Sequence, residues 1–225
     1  TIIDGEGTRR GLTGDGCGDN GTVIQGLTFQ NGYGANGGGI YLDTCNVSLA
    51  NCTLTNNTAG EDGGGVFAYE SSVSIDTCDF NGNRCTNEHG DGAGLSAYGS
   101  TVTLQTCNFT NNATNGSSGE GGGILLLNSS CDAASCTFTE NASALKGGGM
   151  FIWGDDGSGH ITTLTDCTFT NNSSASDLDG GGGLAIDQGD ATLTNCTFTG
   201  NSATGSQGEG GGLWSINATI TLDDC

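Results

Sequence analysis

Gly63-Gly64-Gly65-Val66-Phe67-Ala68-Tyr69 and, thirteen residues after its last glycine, Cys78-Asp79-Phe80-Asn81-Gly82-Asn83 decide how this chain folds. The glycine block returns at Gly37–Gly39, Gly121–Gly123, Gly147–Gly149, Gly181–Gly183 and Gly210–Gly212, with Gly92-Ala93-Gly94 in the same slot. The cysteine block returns at Cys52, Cys107, Cys136, Cys167 and Cys196, and Cys225 marks one more. Successive cysteines lie 26, 29, 29, 31, 29 and 29 residues apart. The stretch from last glycine to cysteine keeps its length in every copy except Gly149 to Cys167, which holds a five-residue insertion around Gly154–Ser158. Otherwise length varies only between the closing asparagine and the next glycine triplet, so each unit joins rigid segments to one free loop.

The rigid segments alternate apolar and polar residues with period two. Ile40/Leu42, Val47/Leu49 and Cys52/Leu54 read as three short strands, each with its apolar side chains on one face. No helical period of 3.6 appears, and the Ser, Thr, Asn and Gly runs oppose helix. A unit of ~29 residues that lays three strands on the previous unit at ~4.8 Å is a coil of a parallel β-helix. The expectation is an all-β chain, a single domain over 1–225, of about seven to eight coils and roughly 36 Å tall.

Composition removes several alternatives. The 44 glycines among 225 residues come with no proline and no three-residue period, which excludes collagen. Four basic residues against 25 acidic ones give a net charge of −21, so nucleic acid is not an expected partner. The longest clean apolar run, Ile124–Leu127, is far short of a membrane-spanning helix, and no membrane insertion is expected.

The columns that stacking creates have simple roles. The repeated cysteines and Leu54, Phe80, Phe109, Phe138, Phe169 and Phe198 fill the core, where a buried thiol acts as a small hydrophobe. The off-ladder Cys17, Cys45, Cys85 and Cys131 are better placed for disulfides, with Cys17–Cys45 the chosen pair. Asn57, Asn83, Asn112, Asn141, Asn172 and Asn201 are expected to form an inward ladder of side-chain amides. Asn-x-Ser/Thr glycosylation sequons are numerous, and Asn20, Asn46, Asn51, Asn56, Asn108, Asn128, Asn195 and Asn217 are candidates outside that ladder.

The pairs Gly-Gly-Gly-Ile and Phe-x-x-Asn resemble the GGAI and FxxN motifs of polymorphic outer-membrane proteins and related right-handed β-helix repeat proteins. The opening Thr1-Ile2-Ile3-Asp4-Gly5 is similar to the first coil of such domains. The resemblance covers nearly the whole chain and departs from the motif in using GGG rather than GGA; no membrane-barrel segment accompanies it. It implies a right-handed, pectin-lyase-like β-helix at the cell surface or outside the cell. It leaves function open, because related chains include adhesins and surface proteins and the fold is shared with polysaccharide lyases.

If Ile40 and Leu42 point inward, Tyr41, Phe67, Phe151 and Trp214 point outward, beside a column that includes Tyr69, Tyr98 and Trp153. A strand apolar on both faces is usually covered on both, and an outer face of this size is expected to be an interface for self-association, a platform for stacking glycans, or a surface covered by further sequence of the same chain. Asp62, Asp91, Glu120, Asp179 and Glu209 sit just before glycine triplets, with Lys146 breaking the series, and are weak candidates for bridging Ca2+; no other cofactor is expected. Arg9, Arg10, Arg84 and Lys146 are scattered, and the cluster Asp155-Asp156-Gly157-Ser158-Gly159-His160 is one insertion rather than a convergence of coils, so no catalysis is expected. The Thr-x-Thr pairs at Thr53, Thr137, Thr168 and Thr197 would suit an ice-binding face, but Asp79 and Asn108 interrupt it. The first residues lie in a strand and the last is a ladder cysteine, which suggests a fragment or units joined end to end. The reading is therefore a non-catalytic extracellular structural protein, glycosylated and assembling into a surface fibre. A monomeric adhesin or carbohydrate-binding module is the alternative.

Overall fold

A computed structural model describes residues 1–154, 159–177, 180–206 and 208–225, with the backbone alone at residues 19 and 20. Every strand pairing in it is parallel and joins a residue to its equivalent one coil away, as Phe80 pairs with both Leu54 and Phe109. The described residues contain strands, turns and bends and no helix. Three sheets run the length of the stack: one of eight strands, one of seven and one of twelve.

One coil shows why the residues fall where they do. After the Gly63–Gly65 triplet, Val66–Tyr69 and Ser72–Asp76 lie in the largest sheet. Asp79–Asn81 joins the eight-stranded sheet, and Arg84–Cys85 the seven-stranded one. The alternating residues Val73, Ile75, Cys78 and Phe80 are all buried in one continuous core. In the coils that begin at Ile40, Leu184 and Leu213, the first two strands merge into a single bent strand, such as Ile40–Ala50. The sequence therefore shows three strands per coil where the fold makes three or four, and it misses the two-residue strand after the ladder asparagine.

The coil turns at corners where residues take left-handed backbone angles. Asn51, Thr77, Thr106, Ser135, Asp166 and Asn195 occupy one corner with φ between 51° and 54°. Asn56, Asn111 and Asn171 occupy the next, with Gly82 and Gly200 as equivalents. Asparagine and glycine tolerate this region best, which accounts for their frequency at these positions. Glycine is required more strictly in the triplet. Gly63 has φ of 67°, and a Cβ on Gly65 would lie 2.4 Å from the carbonyl oxygen of Gly94 in the next coil. Close approach of stacked backbones is thus written into the third glycine.

Two columns hold the interior in register. The rings of Phe80, Phe109, Phe138, Phe169 and Phe198 stack nearly parallel, 4.4 to 5.2 Å apart. Beside them Asn83 Nδ2 donates to Asn112 Oδ1 at 2.9 Å and to the Leu54 carbonyl of the preceding coil at 3.0 Å. Asn57, Asn112, Asn141 and Asn172 repeat this double donation, and Asn201 closes the ladder on the Phe169 carbonyl. The backbone N–H of each rung also donates to the next Oδ1, as Asn112 N does to Asn141 at 3.0 Å. An asparagine ladder satisfies buried amides and turn backbone together.

Cys17 and Cys45 form a disulfide between successive coils, with Cα atoms 4.7 Å apart. The ladder cysteines Cys52, Cys78, Cys107, Cys136, Cys167 and Cys196 are free and buried. Cys85 and Cys131 are not paired either. Cys85 packs with Ala59 and Ala93 in a small cluster under the loop, and Cys131 fills the main core. Both serve as hydrophobes, in place of the cross-links expected of them.

Candidate functional site

The outward side of the first strand differs from the expected open apolar face. Register places Tyr41, Phe67, Ser96, Leu125, Phe151, Ala185 and Trp214 in one column as predicted. Phe67, Phe151 and Trp214 are nevertheless buried, at 6%, 1% and 9% exposure. Leu125, Phe151, Ala185 and Trp214 make a second apolar cluster outside the main core, with Tyr98 packed against it. Tyr41 and Tyr98 extend it, their rings 5.5 and 5.4 Å from that of Phe67.

The cover comes from the chain itself. The first glycine of each triplet turns back over the strand that follows it. A Cβ on Gly63 would sit 2.8 Å from the Cα of Phe67, and one on Gly147 the same distance from the Cβ of Phe151. The residue just before the triplet is thereby carried over the outer face. Lys146 Nζ lies 5.6 Å from the ring centre of Phe151 and 5.0 Å from that of Trp214, and pairs with Asp187 at 2.9 Å. The Arg10 guanidinium covers Tyr41 at 4.7 Å and donates to the carbonyls of Asn36 and Gly37.

Between these two cations the column is acidic. The Asn36 side-chain oxygen accepts the N–H of Asp62, Asp62 Oδ1 accepts that of Asp91 at 2.8 Å, and Asp91 Oδ1 accepts that of Glu120 at 2.7 Å. Tyr98 donates its hydroxyl to Asp62 Oδ2 at 2.8 Å. Burial raises the Asp62 carboxyl against the pull of these donors. Asp91 is pushed up to about 8, first by burial and then by the charges of Asp62 and Glu120, with only the Glu120 amide opposing. Burial and Asp62 likewise raise the Tyr98 phenol.

Asp62 and Asp91, two of the residues singled out as calcium candidates, thus act as turn acceptors. No group of three or more His, Cys, Asp or Glu side chains among the described residues is placed to hold a metal ion. Glu209 is exposed at the end of the column, and Asp179 lies outside the described residues. A surface cleft of about 530 Å3 opens beside the stack, lined by Glu61, Asp62, Asn87, Glu88 and His89. Residues 155–158, the core of the carboxylate-rich insertion, also lie outside the described residues.

Two aromatics of the expected face remain open: Tyr69 and Trp153 are 41% and 44% exposed, with Ile216 further along the same column. Register sets Tyr69 and Trp153 three coils apart, with Tyr98 and Leu127 between them. Tyr98 leans inward onto Asp62 and Phe67, so the two ends of the stripe do not form one continuous aromatic shelf.

The sequons divide by position. Asn46, Asn51, Asn56, Asn108, Asn195 and Asn217 are exposed and Asn128 is half-buried; the side chain of Asn20 is outside the described set. Asn51, Asn56, Asn128, Asn195 and Asn217 sit at left-handed corners with φ between 46° and 54°. Asn112, Asn141 and Asn172, which also match the motif, are fully buried in the ladder.

One further column escapes sequence reasoning. Ser71, Ser100 and Ser129 are buried between the two strands of the largest sheet. The Ser71 N–H donates to Ser100 Oγ at 3.0 Å and the Ser100 N–H to Ser129 Oγ at 2.9 Å. The N–H of Cys45 donates to Ser71 Oγ at the same corner. Serines at a constant offset after the glycine triplets were the only available signal.

Residues 11–162 match the family model described as right handed beta helix region, and residues 195–216 match the Chlamydia polymorphic membrane protein repeat. No curated protein and no solved structure matches the chain.

Proposed function

The chain belongs to the right-handed β-helix family, and on that premise we propose that it is a surface-exposed, non-catalytic structural protein, a rigid building block of a fibre or appendage. The observation that carries this reading is the uniformity of the coils. Five rungs of asparagine bonds and four phenylalanine stacks repeat one plan along the axis, so side chains accumulate in lines along the fold rather than converging on a point. The polymorphic membrane protein repeat at residues 195–216 supports a place at the cell surface. Exposed sequons such as Asn51 and Asn195 favour a glycan coat on the corners.

Electron microscopy of the native material tests the assembly. Filaments with an axial repeat of roughly 36 Å, or a multiple of it, are expected from stacked coils. Dispersed short rods would overturn the fibre. The exposed Tyr69 and Trp153 favour a second reading, a monomeric adhesin or carbohydrate-binding module. Trp153→Ser separates the two: loss of filaments supports lateral assembly, whereas loss of glycan binding with filaments intact supports the module.

A further inference from the structure

The cover over the second apolar cluster is held by unlike forces along its length. At one end Arg10 sits on Tyr41, and at the other Lys146 sits on Phe151 and Trp214 and pairs with Asp187. In the middle, Asp62, Asp91 and Glu120 follow one another on coils one rung (~4.8 Å) apart, with the Asp62 and Asp91 carboxylates each accepting the N–H of the next acidic residue. Like charges at that spacing in a poorly solvated place cannot all ionise without cost.

We propose that the stacked side chains of Asp62, Asp91 and Glu120 form a pH-operated clasp. A proton held on the stack keeps the turns before Gly63 and Gly92 closed over the Phe67–Tyr98–Leu125 side of the cluster, and loss of that proton lifts them. The geometry specifies the hinge. The Asp62 and Asp91 carboxylates bind the backbone N–H of the next turn, at Asp91 and Glu120, so repulsion between rungs acts directly on the turns that form the cover. Gly63 and Gly92, both at positive φ, are the points about which these turns fold onto the strand.

Among the described residues, Asp62 and Asp91 are faced by the following groups. Asp62 meets the Tyr98 hydroxyl from the strand below and Glu61 from its own turn. Asp91 has Asp62 on one side and Glu120 on the other, and its carbonyl accepts the Cys85 thiol from the seven-stranded sheet. Burial holds the Cys85 and Tyr98 protons well above the range in which Asp91 titrates. His89 shares the loop of Asp91, two residues away. Beyond Glu120 the next rung is Lys146, whose ammonium is held by Asp187; beyond Asp62 it is the neutral Asn36.

The test is amide hydrogen exchange of residues 61–68 and 90–97 from about pH 6 to pH 9.5, corrected for the intrinsic chemistry of exchange, in a His89→Asn background that removes the imidazole. Protection is expected to fall by roughly tenfold as the stack loses its last proton, together with new binding of a hydrophobic dye. Asp91→Asn in the same background is expected to keep both signals flat. Constant protection up to pH 9.5, or an Asp91→Asn protein that opens like its parent, would overturn the clasp. Should that variant fail to fold, carbon-13 titration of the Asp91 carboxyl in the parent decides instead. A midpoint in the ordinary carboxylate range sinks the proposal, and one several pH units higher upholds it.

Discussion

Asn112 Nδ2 reaches across one coil to Asn141 Oδ1 at 3.0 Å, and back across the other side to the Phe80 carbonyl at 2.9 Å. One buried amide therefore ties three coils. Replacing it leaves the Phe80 carbonyl and the Asn141 amide oxygen short of donors in a site closed to water. Asn112→Ala is expected to cost about 2–4 kcal/mol, read as a lower denaturant midpoint with unchanged slope. Asn108→Ala, four residues earlier on an exposed strand position, is expected to stay within about 0.5 kcal/mol. Equal losses from the two would mean that the ladder is decoration.

The ring column makes a second, independent demand. Phe109 lies 4.4 Å from Phe80 and 5.2 Å from Phe138 and is fully buried. Phe109→Ala is expected to cost about 3–5 kcal/mol, whereas Phe109→Leu, which repeats what Leu54 does two coils earlier in the same column, should cost markedly less. Thermal melts of the two variants make the comparison.

Cysteine chemistry should divide sharply by position. Cys17–Cys45 closes a loop of 28 residues and is expected to contribute about 3.5 kcal/mol through chain entropy, lost on replacement of both by serine. The ladder thiols are buried, and desolvation raises Cys78 to about 12, so they should resist alkylation in the folded protein. Iodoacetamide should modify the exposed Cys225 under native conditions and the other free thiols only after denaturation. Rapid native labelling of several thiols, counted by mass, would contradict the packed cysteine column.

Stability should also fall as pH rises. Asp91 is held up to about 8 in the fold against an ordinary 3.8, so the folded state binds its proton more tightly than the unfolded chain does. That contribution is complete below about pH 4 and is lost as pH climbs through about 8. The melting temperature is expected to be higher at pH 5 than at pH 8.5. The net charge of −21 pushes the same way, so the diagnostic is the difference: Asp91→Asn should show a shallower slope than the parent.

Much of this was legible in the residues, and the failures share one cause. Strict spacing between Gly65 and Cys78 revealed the coil, and Asn83 and Phe80 at fixed offsets revealed two interior ladders, because each column repeats one residue type. The outer face was misjudged because Phe67 and Trp214 alternate as outward residues should, while the element that covers them is the variable loop. Alternation reports which side of a strand a residue is on and says nothing of what lies over that side. Asp62 and Asp91 read as candidates for bridging Ca2+ for the same reason, because their spacing does not reveal the turn N–H groups they accept. The disulfide choice succeeded for Cys17–Cys45 and failed to separate Cys85 and Cys131 from it, since being off the ladder is equally compatible with filling a small gap.

The glycine triplet offers the most direct test of why the repeat is conserved along the chain. A methyl on Gly65 would lie 2.4 Å from the Gly94 carbonyl and 3.2 Å from the edge of the Phe80 ring. Relief would require parting two coils that are joined by Gly65 N to Ala93 O at 2.9 Å and Val66 N to Gly94 O at 3.0 Å. Backbone cannot give way as a flexible side chain can, so Gly65→Ala is expected to cost at least about 3 kcal/mol or to prevent folding. The middle slot already carries a methyl at Ala93, buried against Ala59 and Cys85, so Ala93→Gly should cost only about 1 kcal/mol. Urea unfolding of the pair measures the contrast. A Gly65→Ala protein as stable as its parent would mean that coil separation is set elsewhere than at the third glycine.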